Sequence, residues 1–152
     1  MNALDRIRRD HRSVRAHLRE LRRTHREDVE RRAEMFRALK RELEILARVE
    51  EAVFYPAVQG ADEAAAEWTR DALQTNDEME RVLAAMAALE VDEPAFDRAL
   101  DGLSAMVEQH LEEEERELLP RARGRLDRER LKALGEEMDS LRRVLGQRLG
   151  AR

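Results

Sequence analysis

Apolar residues recur every three or four positions along most of the chain, the spacing that places them on one face of an α-helix. Breaks in this pattern, some of them marked by Pro or Gly, divide the chain into five predicted helices. Their approximate bounds are 3–26, 28–58, 61–89, 92–124 and 127–149. Because the connections are short, the first four helices are predicted to form an antiparallel, up-down-up-down four-helix bundle.

The fifth predicted helix has its own apolar stripe, with a heptad-like spacing that must cover some other surface. The stripe consists of Leu131, Leu134, Met138, Leu141 and Leu145. We therefore expect a bundle over residues 1–124 and an extra C-terminal helix over residues 125–152, which either packs on the bundle or joins two chains in a homodimer. No internal sequence repeat is evident.

The composition agrees with a single all-α domain. The chain has 152 residues, of which 42% are hydrophobic, 41% charged and only 3% aromatic, which favours long helices over sheets. The net charge of -5 comes from interspersed residues of both signs, so neither a nucleic-acid surface nor a membrane anchor is predicted. Without cysteine or an apolar run long enough to cross a bilayer, the expected location is the cytoplasm.

The predicted core face of each bundle helix includes polar residues among the apolar ones. The core positions are Leu4, Ile7, His11, Val14, Leu18 and Leu21; then Phe36, Leu39, Leu43, Leu46, Glu50, Val53 and Ala57; then Ala65, Thr69, Ala72, Asn76, Met79, Leu83 and Met86; and finally Phe96, Leu100, Leu103, Val107, His110, Glu114 and Leu118. Within the acidic run that follows His110, only Glu114 has the spacing to point inward, and the other acids are interpreted as a solvated face.

Two carboxylates in an apolar interior require compensation, since burying an unpaired one costs several kcal/mol. No Lys or Arg lies at core positions near them, and a metal ion that accepts both imidazole and carboxylate is the simplest compensator. His110 and Glu114 are four residues apart and so share a helix face. The predicted metal ligands are His11, Glu50, His110 and Glu114, and the weaker candidates are Asn76, Glu51 and Glu80.

Three segments resemble the hemerythrin-like HHE cation-binding domain, over roughly residues 10–120. They are Asp10-His11, the segment EEAVFYP that begins at Glu50, and the segment HLEEEE that begins at His110. The resemblance implies a non-haem di-iron centre held by a His on the first helix, His-x-x-x-Glu on the second and fourth, and a His on the third. It places His11, Glu50, His110 and Glu114 at ligand positions, with the two Glu as bridges.

The sequence departs from that pattern at two positions, where Leu46 and Asn76 stand in place of the expected histidines. Leucine cannot bind a metal ion, and asparagine is a weak oxygen donor. Three outcomes follow. A di-metal centre persists, with water or Glu80 filling the gaps; a single ion is held by some of the four ligands; or the site has lost its metal. The first outcome is favoured.

Two functional hypotheses remain open. In the first, iron or another divalent metal binds, senses or reacts with dioxygen, peroxide or nitric oxide, or the protein handles iron. In the second, the protein is a metal-free helical module that pairs with a partner through the fifth helix. Nucleophilic or hydrolytic catalysis has no support, because the chain has no Cys, no Ser beside a plausible acid–base pair and no Gly-rich phosphate loop. No catalytic residue is assigned.

Overall fold

The computed structural model describes residues 1–150, which form five helical rods and no β-strand. The first, third and fifth rods are α1 (Ala3–Arg22), α4 (Glu63–Ala87) and α7 (Arg128–Gly150). The second rod consists of α2 (Val29–Val49), a π-helical turn π1 (Glu50–Phe54) and α3 (Tyr55–Gln59). The fourth consists of α5 (Pro94–Glu113), a second π-helical turn π2 (Glu114–Leu118) and α6 (Leu119–Arg125). The predicted all-α bundle with a C-terminal helix is confirmed.

Side chains just before the helices fix where some of them begin. The Asn2 side chain accepts a hydrogen bond from the Asp5 amide, and the Asp5 carboxylate accepts one from the Asn2 amide, which completes a capping box for α1. The Asp62 carboxylate accepts from the Ala65 amide at 2.7 Å at the start of α4. These caps satisfy amide groups that have no partner within the helix.

The two π-helical turns each come just before a proline. A proline inside a helix lacks the amide hydrogen, and its ring conflicts with the carbonyl group four residues earlier. In both rods the backbone instead bonds across five residues, from the Tyr55 amide to the Glu50 carbonyl and from the Leu119 amide to the Glu114 carbonyl. This wider winding accommodates the proline locally, so neither rod ends there. The fourth rod continues past Pro120 to Arg125.

The π1 turn changes which side chains of the second rod face the core. Val53 and Ala57 were expected at core positions but are only partly buried, whereas Phe54, Tyr55 and Val58 are fully buried. Val53 and Ala57 therefore pack at the edge of the second cluster rather than inside the core, because the extra residue in the wide turn rotates the following segment relative to α2.

Two apolar clusters fill the bundle, and the four predicted metal ligands and Asn76 lie between them. The first cluster includes Val14, Leu46, Met79 and Val107, and the second includes Ile7, Phe54, Ala72 and Leu118. On every bundle rod these residues fall between a member of the first cluster and a member of the second: His11, Glu50, Asn76, and His110 with Glu114. All four rods thus contribute polar groups at one depth of the bundle.

Helix α7 packs on the chain's own bundle. Its residues Leu131, Leu134 and Met138 are buried in the second cluster, against α1, α2 and π1. Gly135 permits the close approach to the start of α1, since a Cβ atom there would lie 3.0 Å from the Ala3 amide nitrogen. The stripe that predicted either a bundle contact or a dimer contact therefore has a partner within the chain. Across residues 1–150, no helix is long and apolar enough to span a membrane.

Candidate metal centre

The four predicted ligands lie together in the polar layer of the bundle. His11 on α1 is 0% exposed, Glu50 at the start of π1 is 1% exposed, His110 on α5 is 5% exposed and Glu114 at the start of π2 is 0% exposed. The Nε2 atom of His11 lies 3.6 Å from Oε1 of Glu114, and the Nε2 atom of His110 lies 3.6 Å from Oε2. The Glu114 carboxylate thus lies between two imidazoles, one beside each of its oxygens.

Each of these four residues has a buried atom without a hydrogen-bond partner. The atoms are His11 Nε2, Glu50 Oε2, His110 Nε2 and Glu114 Oε1. Buried polar atoms in native proteins nearly always have a partner, so four such atoms in one layer need an explanation. A metal ion provides one, because imidazole nitrogen and carboxylate oxygen are the donors that iron, manganese and zinc accept. The residues present therefore fit a bound cation.

The distances are compatible with that fit after a small contraction. One donor atom from each of His11, Glu50 and Glu114 lies within 4.8 Å of the others. Two donors bound to one ion at about 2.1 Å can be at most about 4.2 Å apart. Three donors around one ion are about 3.0–3.6 Å apart, so side-chain movements of about 1 Å would close these three around it. His110 faces the other oxygen of Glu114.

In the metal-free site, bound protons take the place of the metal ion and offset the negative charge of the carboxylates. Burial raises the pKa of Glu50 well above its usual range, and the neighbouring Glu114 carboxylate raises it further. Burial alone would raise the pKa of Glu114, but Glu50, His11 and His110 act in the opposite direction and lower it. Burial lowers the pKa of His11, and the Glu114 and Glu115 carboxylates outweigh that effect and raise it. Binding of a metal ion would therefore displace protons from Glu50 and His11.

Glu115 has a role that the sequence analysis missed when it assigned this residue to the solvated face. Its Oε1 atom lies 3.2 Å from Nδ1 of His11, and Arg15 holds both of its oxygens at 2.6 and 3.1 Å. Arg15 in turn donates to Glu108. A hydrogen bond at Nδ1 fixes the imidazole plane and leaves Nε2 directed at Glu114, which is the usual support for a histidine ligand.

Two aromatic residues also contact the centre without having been assigned to it from sequence. The buried Tyr55 hydroxyl donates to Oε2 of Glu114 at 3.1 Å. Burial and the two nearby carboxylates, Glu114 and Glu50, raise the pKa of Tyr55 well above its usual value, so the hydroxyl keeps its proton. The Trp68 ring stacks on His110, with a centroid distance of 6.0 Å and an interplanar angle of 21°. Both side chains restrict how the ligands can move.

The three weaker candidates differ in their positions. Asn76 is buried, and its amide nitrogen donates to Oε1 of the half-buried Glu51 at 3.2 Å. This pair borders the centre but is not part of the cluster of three donors. Glu80 is exposed and lies 3.8 Å from Arg48, so the structure does not bring it to the site.

A short repeat in the sequence coincides with the two carboxylate positions. Each π-helical turn begins at a Glu-Glu pair and ends at an apolar residue. One further apolar residue follows, and then a proline six residues after the first Glu. The interpretation that the chain has no internal repeat is wrong for these segments, EEAVFYP and EERELLP. The repeat was a signal that Glu50 and Glu114 have equivalent surroundings. π-Helical turns are frequent at functional sites, where they set the direction of particular side chains.

Comparisons with known proteins identify the family and support the fold. Residues 2–122 match the family model described as the hemerythrin HHE cation binding domain. The structure is similar to the crystal structure of a hemerythrin HHE cation binding domain-containing protein from Mycobacterium kansasii, with a TM-score of 0.83 and 24% sequence identity. That alignment covers 99% of this chain and 89% of the other, and at this identity it supports the fold alone. No protein with a curated description matches the chain.

Proposed function

Because the chain belongs to the hemerythrin HHE cation-binding domain family, we propose that His11, Glu50, His110 and Glu114 hold non-haem iron that binds or reacts with small oxygen or nitrogen species. The observation that carries this proposal is the layer of four buried, unpartnered donor atoms. Their types suit iron, although other divalent ions accept the same donors. Dioxygen, peroxide and nitric oxide are the candidate ligands.

The arrangement of Glu114 favours two metal ions over one. Its two oxygens face different histidines, so each imidazole can serve a separate ion while the carboxylate connects them. Glu50, which lies near His11 and Glu114, would be the second bridging carboxylate. Leu46 and Asn76 supply no imidazole, which leaves coordination positions open for water or a small ligand.

Bound iron would supply the redox chemistry, and the surrounding residues would control it. Apolar clusters above and below the polar layer exclude bulk water. The Tyr55 hydroxyl donates a hydrogen bond to Oε2 of Glu114, and the Glu115 carboxylate pairs with Nδ1 of His11. Open positions in a dry pocket favour reaction with a small ligand over simple reversible carriage of dioxygen.

An anaerobic titration with nitric oxide tests the proposed ligand class. Protein reconstituted with ferrous iron should give a new absorption band that saturates with nitric oxide, because the open positions face a pocket that admits only small molecules. Iron that is retained without any spectral response would contradict the proposed reactivity. Replacing both Leu46 and Asn76 by histidine should raise the affinity of the site for iron, and an unchanged affinity would contradict the view that these two positions face the metal.

The metal-free module is the weaker candidate. Its predicted partner surface was the stripe on the C-terminal helix, and that stripe is covered by the bundle at Leu131, Leu134 and Met138. No other observation favours it.

A further inference from the structure

A small cavity lies directly beside the proposed metal centre. Its volume is about 10 Å³, which is room for about one water molecule. Its walls include Glu50, Asn76 and His110. Glu50 and His110 both have a buried atom without a hydrogen-bond partner. The cavity is therefore the space next to the metal ligands that no side chain fills.

A larger groove of about 440 Å³ lies on the outside of the bundle, between α1, α2 and α7. Two acidic and two arginine side chains line it, so its charges balance and any obstruction to entry is steric. Helix α7 closes one edge, where Arg142 pairs with Asp10 and where Arg41 donates to the Gly146 carbonyl at 2.7 Å. The lining includes Asp10, Arg41, Glu42, Ile45, Leu46 and Arg142.

Leu46 belongs to the walls of both spaces. It is 5% exposed, and its side chain lies between the groove and the cavity. Another surface pocket, of about 640 Å³ between α1 and α5, includes Arg15 and Ser104 and shares no wall residue with the cavity. In the described part of the chain, Leu46 is the one residue that the walls of the groove and of the cavity share, so it marks a direct path between the two spaces.

We propose that Leu46 is a gate, the side chain that must move for a metal ion or small molecule to pass from the outer groove to the metal centre. The proposal rests on the function proposed above. Leu46 occupies a position where the family pattern places a histidine. This position therefore carries an apolar side chain in place of a metal ligand. Opening requires only a change of leucine rotamer toward the groove, without movement of the helix backbone.

Entry can be measured as the rate at which a divalent ion reaches the metal-free protein. Trp68 is the sole tryptophan, and its ring lies 6.0 Å from the His110 ring, so its fluorescence reports on the centre. In a stopped-flow experiment with Co²⁺, the amplitude of quenching measures binding, while the rate measures entry. Leu46→Ala should speed entry about tenfold, which corresponds to about 1.4 kcal/mol in the barrier.

Leu43→Ala is the matched control. Leu43 is also 5% exposed on α2 and lines the cavity, but it does not line the groove. Its removal enlarges the cavity without opening it, so its entry rate should stay near that of the wild type. Should Leu46→Ala fail to fold by circular dichroism, Leu46→Val should show a smaller acceleration in the same direction.

The amplitude and the rate separate the two proposals. Normal quenching with equal rates for Leu46→Ala and Leu43→Ala would overturn the gate and leave the metal site standing. An absence of quenching in the folded wild-type protein, together with no bound Co²⁺, would overturn the proposed function and the gate with it.

Discussion

Glu50→Met should make the metal-free protein more stable and at the same time remove its stabilisation by metal. In the metal-free chain the buried Glu50 carboxyl has one oxygen without a hydrogen-bond partner, beside the Glu114 carboxylate. An unsatisfied buried polar group costs about 1–3 kcal/mol. Methionine is apolar, flexible and of similar length, so it would remove most of this cost.

Allowing for imperfect fit of the larger side chain, the expected gain is about 1–2 kcal/mol in the free energy of unfolding. For a chain of this size that corresponds to a rise of about 2–8 °C in the melting temperature. Iron at a hundredfold excess over its dissociation constant would stabilise the wild type by about 2.7 kcal/mol. Because the variant lacks a ligand, the order of the two melting temperatures should reverse when iron is added.

The assay is thermal unfolding followed by circular dichroism, with a chelator and then anaerobically with ferrous iron. Glu112→Met is the control, because Glu112 is an exposed residue on the same helix as His110 and its replacement should change stability by no more than about 0.5 kcal/mol. A clearly lower melting temperature for metal-free Glu50→Met would refute the view that burial of this carboxyl destabilises the metal-free protein. Equal stabilisation of both proteins by iron would refute its role as a ligand.

Two further predictions concern the surroundings of the ligands. Glu115→Ala should weaken metal affinity by about 10–100-fold in a calorimetric titration, because His11 loses the hydrogen-bond acceptor at Nδ1. Glu115→Gln should recover part of the lost affinity. Glu108→Ala should leave the affinity nearly unchanged. Metal affinity should rise with pH through the neutral range, because the metal displaces protons from Glu50 and His11. The pKa values of both groups are raised on folding, so the stability that these protons give the metal-free protein is present below their unfolded pKa values and is lost as pH rises through the folded ones. A pH-independent affinity would contradict this assignment.

The depth and identity of the polar layer followed from helical periodicity. His11, Asn76 and His110 each interrupt an apolar stripe. A regular helix directs residues at these positions into the core, and the conformation of the loops does not change this. Cluster membership then fixes their height in the bundle, since the neighbours of each belong to the two apolar clusters.

Departures from the regular α-helix limited the prediction elsewhere. The π1 turn places Val53 at the edge of the core and Tyr55 inside it, and this change brings the Tyr55 hydroxyl to Glu114. Periodicity of 3.6 residues cannot anticipate an extra residue in one turn. The repeated proline six residues after Glu50 and Glu114 carried that information in the sequence.

Contacts between helices could not be predicted from the residue pattern of a single helix. Glu115 is half-buried because Arg15 and His11 on α1 face it, and its own helix reveals neither partner. Glu80 was a candidate ligand but lies away from the centre. It is one position past the core residue Met79 and faces solvent beside Arg48.

Metal content measured beside a ligand variant tests the central claim most directly. Wild-type protein loaded anaerobically with ferrous iron and then desalted should retain iron, and His17→Ala should retain the same amount because His17 lies partly exposed beside Glu42, away from the centre. His110→Ala should lose most of the iron while keeping its helical circular dichroism spectrum. Iron-free wild type, or a folded His110→Ala variant with a full complement of iron, would contradict the account.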